Sequence, residues 1–375
     1  MKNKNILKNN GVQTLIASLM CIIVGLLVGY IALLIINPSG ATQAILTIIK
    51  NFFYYPSEAA QLKYFGNTLV KSAPLLMCSL SVLFAYKVGL FNIGAAGQFV
   101  VGAGASLYCA LALNLPWWAC LIIAILAGAA LGALSGLLKA VCNVNEVISC
   151  IMLNWIGLYC VNMLLTPVKE TTSPYTLNLR TANPGAVIPN CGLDKLFSNN
   201  MYVTIAIPIA VVVSVLIWIL LEKTKLGYEL KATGNNKNAA KYAGMKENRN
   251  IILTRAIAGG LAAMGAALLY LTGYEQWSCS QSSVPGMGFN GIAAAFLGGL
   301  NPIGSIFSSY FIQHITAGGA YVDKTMYCAQ VSDFISAIII YLCGFVLFVK
   351  MAMNKSIAKH EEKKAAAANN EGGKK

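Results

Sequence analysis

The chain has 375 residues, of which 57% are apolar and only 11% are charged. Soluble domains carry about 25% charged residues, so this composition excludes an ordinary soluble domain. The formal net charge is +14, which in a soluble protein would suggest binding to nucleic acid. Here most of the Lys and Arg residues fall in loops and tails, as the positive-inside rule for membrane proteins requires, and we expect no nucleic-acid partner.

Three long segments, residues 9–49, 88–138 and 276–313, contain no Asp, Glu, Lys, Arg or His. A helix on the surface of a soluble protein would show a charged face at the helical period, and these segments show none. At about 20 residues per span, the chain has room for roughly eight to ten spans. We therefore predict an all-α polytopic protein of the lipid bilayer, multi-pass in a bacterial plasma (inner) membrane, with broken or re-entrant segments among its spans.

Apolar runs and turn signals place the predicted spans along the chain. A loop with Lys50, Glu58 and Lys63 separates the first span from the second, which Pro74 is expected to kink. The proline-rich residues 167–200 are expected to form the main outer loop. The predicted spans are residues 12–36, 67–86, 92–113, 117–138, 146–166, 201–221, 251–272, 302–319 and 331–349.

Basic residues give the predicted orientation. The N-terminal segment carries three lysines, residues 222–250 carry seven Lys or Arg against three Glu, and the tail from Lys350 carries seven Lys against three Glu. The positive-inside rule puts all three in the cytoplasm. We thus expect one transmembrane domain over residues 1–350 and a charged, disordered cytoplasmic tail over residues 351–375.

This orientation requires one more crossing, within residues 273–301. That segment is rich in Gly, Ser and Pro, and its apolar piece, residues 289–300, is too short to span alone. We predict a broken helix, because non-helical backbone at membrane depth is tolerated where protein or a water-lined cavity satisfies it, and such breaks mark solute sites in transporters. The alternative is a re-entrant outer hairpin with the tail outside. Residues 87–98 form a similar interruption.

Polar and aromatic side chains near these interruptions are the candidates to line a solute path. Amides buried in a span are costly unless they are paired or face water, and they can also serve as hydrogen-bonded links between helices. Aromatic rings can stack on a solute or simply pack against helices and lipid. The path candidates are Phe91, Asn92, Gln98, Asn154, Phe289 and Asn290.

Catalytic signatures are absent from the sequence. It has no P-loop, no HExxH and no GxSxG motif, so we expect no enzymatic activity, no bound cofactor and no metal site. Cys191 and Cys279 fall in predicted outer loops, and sequence leaves open whether they pair. A transporter that works alone by proton relay is a further alternative, although Glu146 lacks a second buried acid beside it.

Residues 222–250 form the one long charged loop. One short helix is expected over residues 237–242, with Gly234 and Gly244 at its ends in the left-handed region. A short helix held between two spans suits docking onto a soluble partner. A solvated basic loop near anionic lipid is the alternative.

The loop sequence GYELKATGNNKNAAKYAG, residues 227–244, resembles the coupling loop of permeases from ribose-type and branched-chain-amino-acid-type ABC importers. Three further blocks, residues 67–99, 144–159 and 286–304, resemble nucleoside permeases of that family. Ala96 stands where the family usually has Glu. The positions that match the loop pattern are Gly227, Leu230, Lys231, Ala232, Gly234, Asn236, Ala239, Ala240 and Gly244.

The resemblance implies the longer of two homologous permeases in an importer for a nucleoside. It also implies a cytoplasmic ATPase with two nucleotide-binding cassettes that uses the ATP, and an extracytoplasmic lipoprotein that delivers the solute. A simple sugar or another small metabolite is the alternative within the family.

Overall fold

A computed structural model describes residues 10–323, 325–327, 334, 337–338, 341–342, 344–346 and 348–356. Within them the chain is helical, and the only β pairing is two isolated bridges. The helices are α1 (Asn10–Ile36), α2 (Ala41–Lys50), α3 (Glu58–Lys87), α4 (Ala95–Leu111), α5 (Trp117–Ala140), α6 (Glu146–Leu165), α7 (Leu179–Ala182), α8 (Leu193–Leu196), α9 (Ala206–Lys223), α10 (Lys225–Asn235), α11 (Lys237–Tyr242), α12 (Glu247–Tyr270), α13 (Met287–Leu297) and α14 (Pro302–Gly319). Short 3-10 turns lie at Asn51–Tyr54, Thr166–Val168 and Pro184–Ala186.

Six helices among the described residues are long and apolar enough to cross a membrane: α1, α3, α5, α6, α9 and α12. The shorter apolar helices α4 and α13 add to them. A multi-pass, all-α membrane fold is therefore confirmed. Nine of the 19 residues of the predicted last span, residues 331–349, lie outside the described residues, as does most of the predicted tail.

The predicted loop with Lys50, Glu58 and Lys63 is wrong. Lys50 ends α2, whereas Glu58 and Lys63 belong to α3, which continues through Pro74 as one 30-residue helix. Charged residues in this region interrupt the apolar run, but they do not interrupt the helix, because Glu and Lys are good helix formers.

The centre of the bundle is the pair α3 and α12, both buried along most of their length. Glycine allows α5 to lie directly against α12: a Cβ at Gly128 would strike Ala263, and one at Gly132 would strike the carbonyl oxygen of Arg255. Small residues at such contacts let helix backbones approach closely.

The two central helices define two ends of the molecule. The last residue of α3 and the first of α12 lie at the end that carries α10 and α11, where Lys237 and Glu247 approach to 3.8 Å. At the opposite end, the irregular residues 167–200 and 273–286 meet through a backbone bridge between Tyr175 and Ser278.

Candidate functional site

The first interruption lies between α3 and α4. Gly89 turns the chain with φ of +75°, and Asn92 enters the interior with no exposed surface. The Asn92 amide nitrogen donates to Ser81 Oγ and to Gln98 Oε1, both at 2.9 Å. Its oxygen accepts from Arg255 Nη1 at 3.1 Å. Two of the predicted path residues are thus hydrogen-bonded to each other.

Arg255 is a fully buried charge on α12. Its Nη2 donates to Glu146 Oε2 at 2.9 Å, and the Glu146 side chain retains 20% exposure at the start of α6. Taking a guanidinium out of water is costly unless it is paired and hydrogen-bonded. Glu146 and Asn92 supply that compensation, so this cluster holds together α12, α6 and the start of α4.

Asn154 of α6 binds the backbone beside this cluster. Its oxygen accepts from the Gly97 amide at 2.9 Å, and its nitrogen donates to the Ile93 carbonyl at 3.2 Å. Both backbone groups lie in the first turn of α4 or just before it. The Gly97 amide is one of the N–H groups that a helix start leaves without an intrahelical partner.

The second interruption meets the first. α13 begins at Met287 and has only 11 residues, preceded by the irregular residues 273–286, as the broken-helix prediction requires. Gly288 lies against the backbone of Ala96 so closely that a Cβ would clash. The starts of two short helices, α4 and α13, therefore lie side by side in the bundle.

The remaining path candidates are less buried. Phe289 is 42% exposed, whereas Phe91 and Asn290 are half-buried. The Asn290 side chain makes no hydrogen bond to any described residue. The structure thus joins Asn92 to Gln98 by a hydrogen bond and holds Asn154 on the neighbouring backbone of α4. On α13, Phe289 is exposed and Asn290 is half-buried.

The helices α10 and α11 form a hairpin at one end of the bundle. Thr224 Oγ1 accepts from the Gly227 amide at 3.1 Å and begins α10, and Asn236 Oδ1 accepts from the Ala239 amide at 3.0 Å and begins α11. The predicted helix over residues 237–242 is confirmed, and Gly244 ends it with φ of +81°. Lys231 pairs with Glu222 at 3.0 Å, an exposed contact.

The expected left-handed role for Gly234 is wrong, because Gly234 lies inside α10. Its missing side chain serves another purpose. A Cβ at Gly234 would strike the Val88 carbonyl, so α10 rests directly on the turn between α3 and α4. Asn250 of α12 also donates to Thr233 Oγ1 at 2.8 Å. The hairpin is thereby in contact with both the first interruption and the helix that carries Arg255.

The outward face of the hairpin carries aromatic residues. Tyr242 is 92% exposed and Tyr228 is 66% exposed, whereas Ala240 and Leu230 are buried beneath them. Tyrosine exposed on a basic, polar hairpin is typical of an interaction surface rather than of a solvated loop.

Comparison with known proteins decides the family. The family model for the branched-chain amino acid transport system permease component matches residues 64–344. The chain belongs to this permease family. It is a multi-pass membrane permease component of an ABC importer, and subunits of this kind are not themselves enzymes.

Relatives of the permease cover most of its length. It is 31% identical to the nucleoside ABC transporter permease protein NupB of Lactococcus lactis, over 93% of this chain and 96% of the relative. It is 29% identical to the guanosine ABC transporter permease protein NupP of Bacillus subtilis, over 91% and 96%. It is 30% identical to the glucose ABC transporter permease protein TsgB13 of Haloferax volcanii, over 69% and 70%.

Arg255 was not predicted from the sequence to belong to the permease's central network. It pairs with Glu146, which lies at the start of another span. The signal was present: Arg255 is the only charged residue between Arg249 and Glu275. A single charge inside an apolar span is costly and therefore points to a partner.

Two other features of the permease lie apart from this network. A cavity of about 570 Å³ between α1 and the α13–α14 turn is lined mainly by apolar side chains, and none of the predicted path residues lines it.

The two cysteines of the predicted outer loops, Cys191 and Cys279, are both free thiols.

Proposed function

We propose that the permease moves a nucleoside and that the α10–α11 hairpin receives the cytoplasmic ATPase. The observation that carries the proposal is the close backbone contact between Gly234 of α10 and the Val88 carbonyl. A force applied to the hairpin by a nucleotide-driven partner reaches the turn between α3 and α4 across a single backbone contact, and closely packed helices transmit such shifts.

The proposal includes three partners. A double-cassette ATPase binds the exposed face with Tyr228 and Tyr242, a second and shorter homologous permease completes the translocation path, and a lipoprotein delivers the solute at the opposite end. ATP is bound and hydrolysed by the partner. The coupling residues are those of the hairpin: Gly227, Lys231, Gly234, Asn236, Ala239, Ala240 and Gly244.

In this proposal the path runs past the two interruptions, by Phe91, Asn92, Gln98, Asn154, Phe289 and Asn290. The side chains of Asn92 and Gln98 are hydrogen-bonded to each other, and Asn92 also accepts from Arg255. Asn154 is hydrogen-bonded to the backbone. In this arrangement the amide groups are not free to bind a solute. Movement of α4 against α6 and α12 would release the amide groups toward a passing solute.

A nucleoside is supported as the solute by NupB and NupP, which match the permease over almost its whole length. A sugar is the second candidate, since TsgB13 is described as a glucose permease.

The test is uptake by cells that express the complete transporter, with radiolabelled guanosine as the probe and with adenosine, cytidine, ribose and glucose as competitors. We expect the nucleosides to compete and the sugars not to compete. If glucose alone competed, we would infer that the transported solute is a sugar and not a nucleoside. Uptake that survives ATP depletion would contradict the ABC mechanism.

The docking surface is tested separately with Tyr242→Asp. This side chain is almost fully exposed, so the substitution spares the fold. We expect the purified complex to lose its ATPase subunit and the cells to lose uptake. Tyr175→Asp is the matched control for ATPase binding, because Tyr175 is 46% exposed at the opposite end, and this variant should keep the ATPase subunit. Retention of the ATPase by the Tyr242→Asp variant would exclude this surface as the docking site.

A further inference from the structure

An ion pair inside the bundle has no part in the network described above. Lys71 Nζ lies 2.9 Å from Glu275 Oε1, and the two side chains retain 33% and 35% exposure. Lys71 belongs to α3, the most deeply buried long helix. A charged residue within a span that is still reached by solvent marks a solute or ion pathway in a membrane protein.

The pair lies at the end opposite the hairpin. Lys71 precedes Lys87, the last residue of α3, by sixteen residues, about 24 Å along a helix. Glu275 follows the end of α12, the helix whose first residue is next to α11. If the hairpin is cytoplasmic, as proposed above, the pair faces the outside.

Aromatic rings surround the pair. The Lys71 ammonium lies 5.3 Å from the centre of the Tyr274 ring, and Tyr202 packs edge-on against Tyr274 at 5.2 Å. Tyr64 and Asn67 lie seven and four residues before Lys71, on the same face of α3. All three side chains on that face are half-buried, whereas the adjacent Gly66, Thr68, Val70 and Ser72 are buried.

A second group of rings extends this surface outward. Tyr55 stacks on Tyr64 with ring centres 4.1 Å apart, and Tyr321 approaches both rings edge-on. Burial raises the pKa of Tyr274, Lys71 lowers it, and Glu275, Tyr202 and Tyr64 raise it, which places these groups within electrostatic reach of one another. Residues from four separate parts of the chain thus converge at one place.

Below Lys71, the same face of α3 is closed. A Cβ at Gly265 would lie 3.0 Å from the Pro74 carbonyl oxygen, and one at Gly291 would lie 2.7 Å from Cys78 Cβ. The ion pair retains exposed surface, whereas helix contacts cover the same face further in. A surface that is open to one side and closed beneath is the geometry of a first binding position.

We propose that Lys71, Glu275, Tyr64 and Tyr274 form an outer binding station for the ribose and base of a nucleoside, an inference that rests on the proposed function. A carboxylate accepts hydrogen bonds from both hydroxyls of a vicinal diol, and an ammonium donates to a base carbonyl. Tyrosine rings stack on any base. A belt of interfacial tyrosines would account for Tyr55 and Tyr321, but it would not require an ion pair beside them.

The test compares guanosine with 2′,3′-dideoxyguanosine, which lacks both ribose hydroxyls, in cells that express the complete transporter. Uptake is measured with the delivering protein saturated, so that its own affinity does not limit the rate. We expect Glu275→Gln to lower the maximal rate for guanosine about tenfold, the factor expected for a weakened hydrogen bond to a charged group, and to abolish the preference for guanosine. Lys63→Met, an exposed lysine on the same helix, is the matched control and should keep rate and preference.

A charge swap separates binding from structure. The variant Lys71→Glu with Glu275→Lys retains an ion pair, so a purely structural pair would restore both the rate and the preference. Restoration of both would overturn the inference, and so would a Glu275→Gln variant with unchanged preference. A swapped variant that reaches the membrane without preference for the ribose hydroxyls would support it. A wild-type transporter that accumulates glucose and no nucleoside would instead refute the proposed function itself.

Discussion

Arg255 Nη2 and Glu146 Oε2 lie 2.9 Å apart and join α12 to the first residue of α6. The guanidinium has no exposed surface, whereas the carboxylate retains 20% exposure. The two partners therefore differ in what remains when one is removed. Loss of the carboxylate leaves a buried cation, and loss of the guanidinium leaves an anion that water can reach.

This asymmetry predicts unequal losses of stability. We expect Glu146→Leu to lower the free energy of unfolding by about 3 kcal/mol, as for other broken buried pairs, and Arg255→Met to lower it less. The double variant should recover much of the loss, because neither charge is then left alone. Thermal unfolding of the purified permease in detergent measures all three.

The exposed pair of Lys231 and Glu222 is the control. Glu222→Gln should change stability by at most about 1 kcal/mol, because surface ion pairs contribute little. If Glu146→Leu and Glu222→Gln lowered the free energy of unfolding equally, the stabilisation by Glu146 would not come from pairing with a buried charge.

The contact between α13 and α4 predicts a second effect. Gly288→Ala places a methyl group against the Ala96 backbone, and overpacking of this kind costs about 1–3 kcal/mol. We expect a lower unfolding temperature and reduced uptake, because the two interruptions are forced apart. Gly286→Ala is the matched control two residues earlier, since nothing lies within 4 Å of its Cβ position. Equal behaviour of the two variants would contradict the close approach of these helices.

Much of the fold follows from the sequence, because long apolar runs need a bilayer. The spans that became α5, α6 and α12 were predicted to within a few residues at most ends, since few charges interrupt them. The helix α2 and the first turns of α3 were missed, because Lys50 and Glu58 lower the local hydropathy without breaking a helix.

The candidate site was predictable only in part. Asn92 and Asn154 stand out as amides inside apolar spans, and the two interruptions stand out as Gly-rich breaks. Their partners could not be predicted, because Asn92 and Arg255 lie 163 residues apart in the chain. Only the packing of α12 against α5 and α4 brings them together.

The cap of α11 predicts a local effect on the α10–α11 hairpin. Asn236→Ala removes the side chain that accepts from the Ala239 amide, and loss of such a cap costs a helix about 1 kcal/mol. We expect faster hydrogen exchange over residues 237–242 and weaker binding of the ATPase, with α12 unaffected. Asn236→Asp retains the acceptor and should behave like the wild type. Asn238→Ala, an exposed position in the same helix, is the control, and equally fast exchange in that variant would remove the cap as the cause.

The predicted orientation can be tested with two exposed cysteines. Cys142 lies in the turn between α5 and α6, and Cys191 lies in the irregular segment before α9; both are exposed free thiols. If the hairpin is cytoplasmic, the number of crossings between them puts Cys142 inside and Cys191 outside. In single-cysteine variants, a membrane-impermeant maleimide should label Cys191 in intact cells and Cys142 only after permeabilisation. The reverse pattern would place the hairpin outside, away from ATP. The reason is that one span, α9, separates Cys191 from the hairpin, so the two must lie on opposite sides of the membrane.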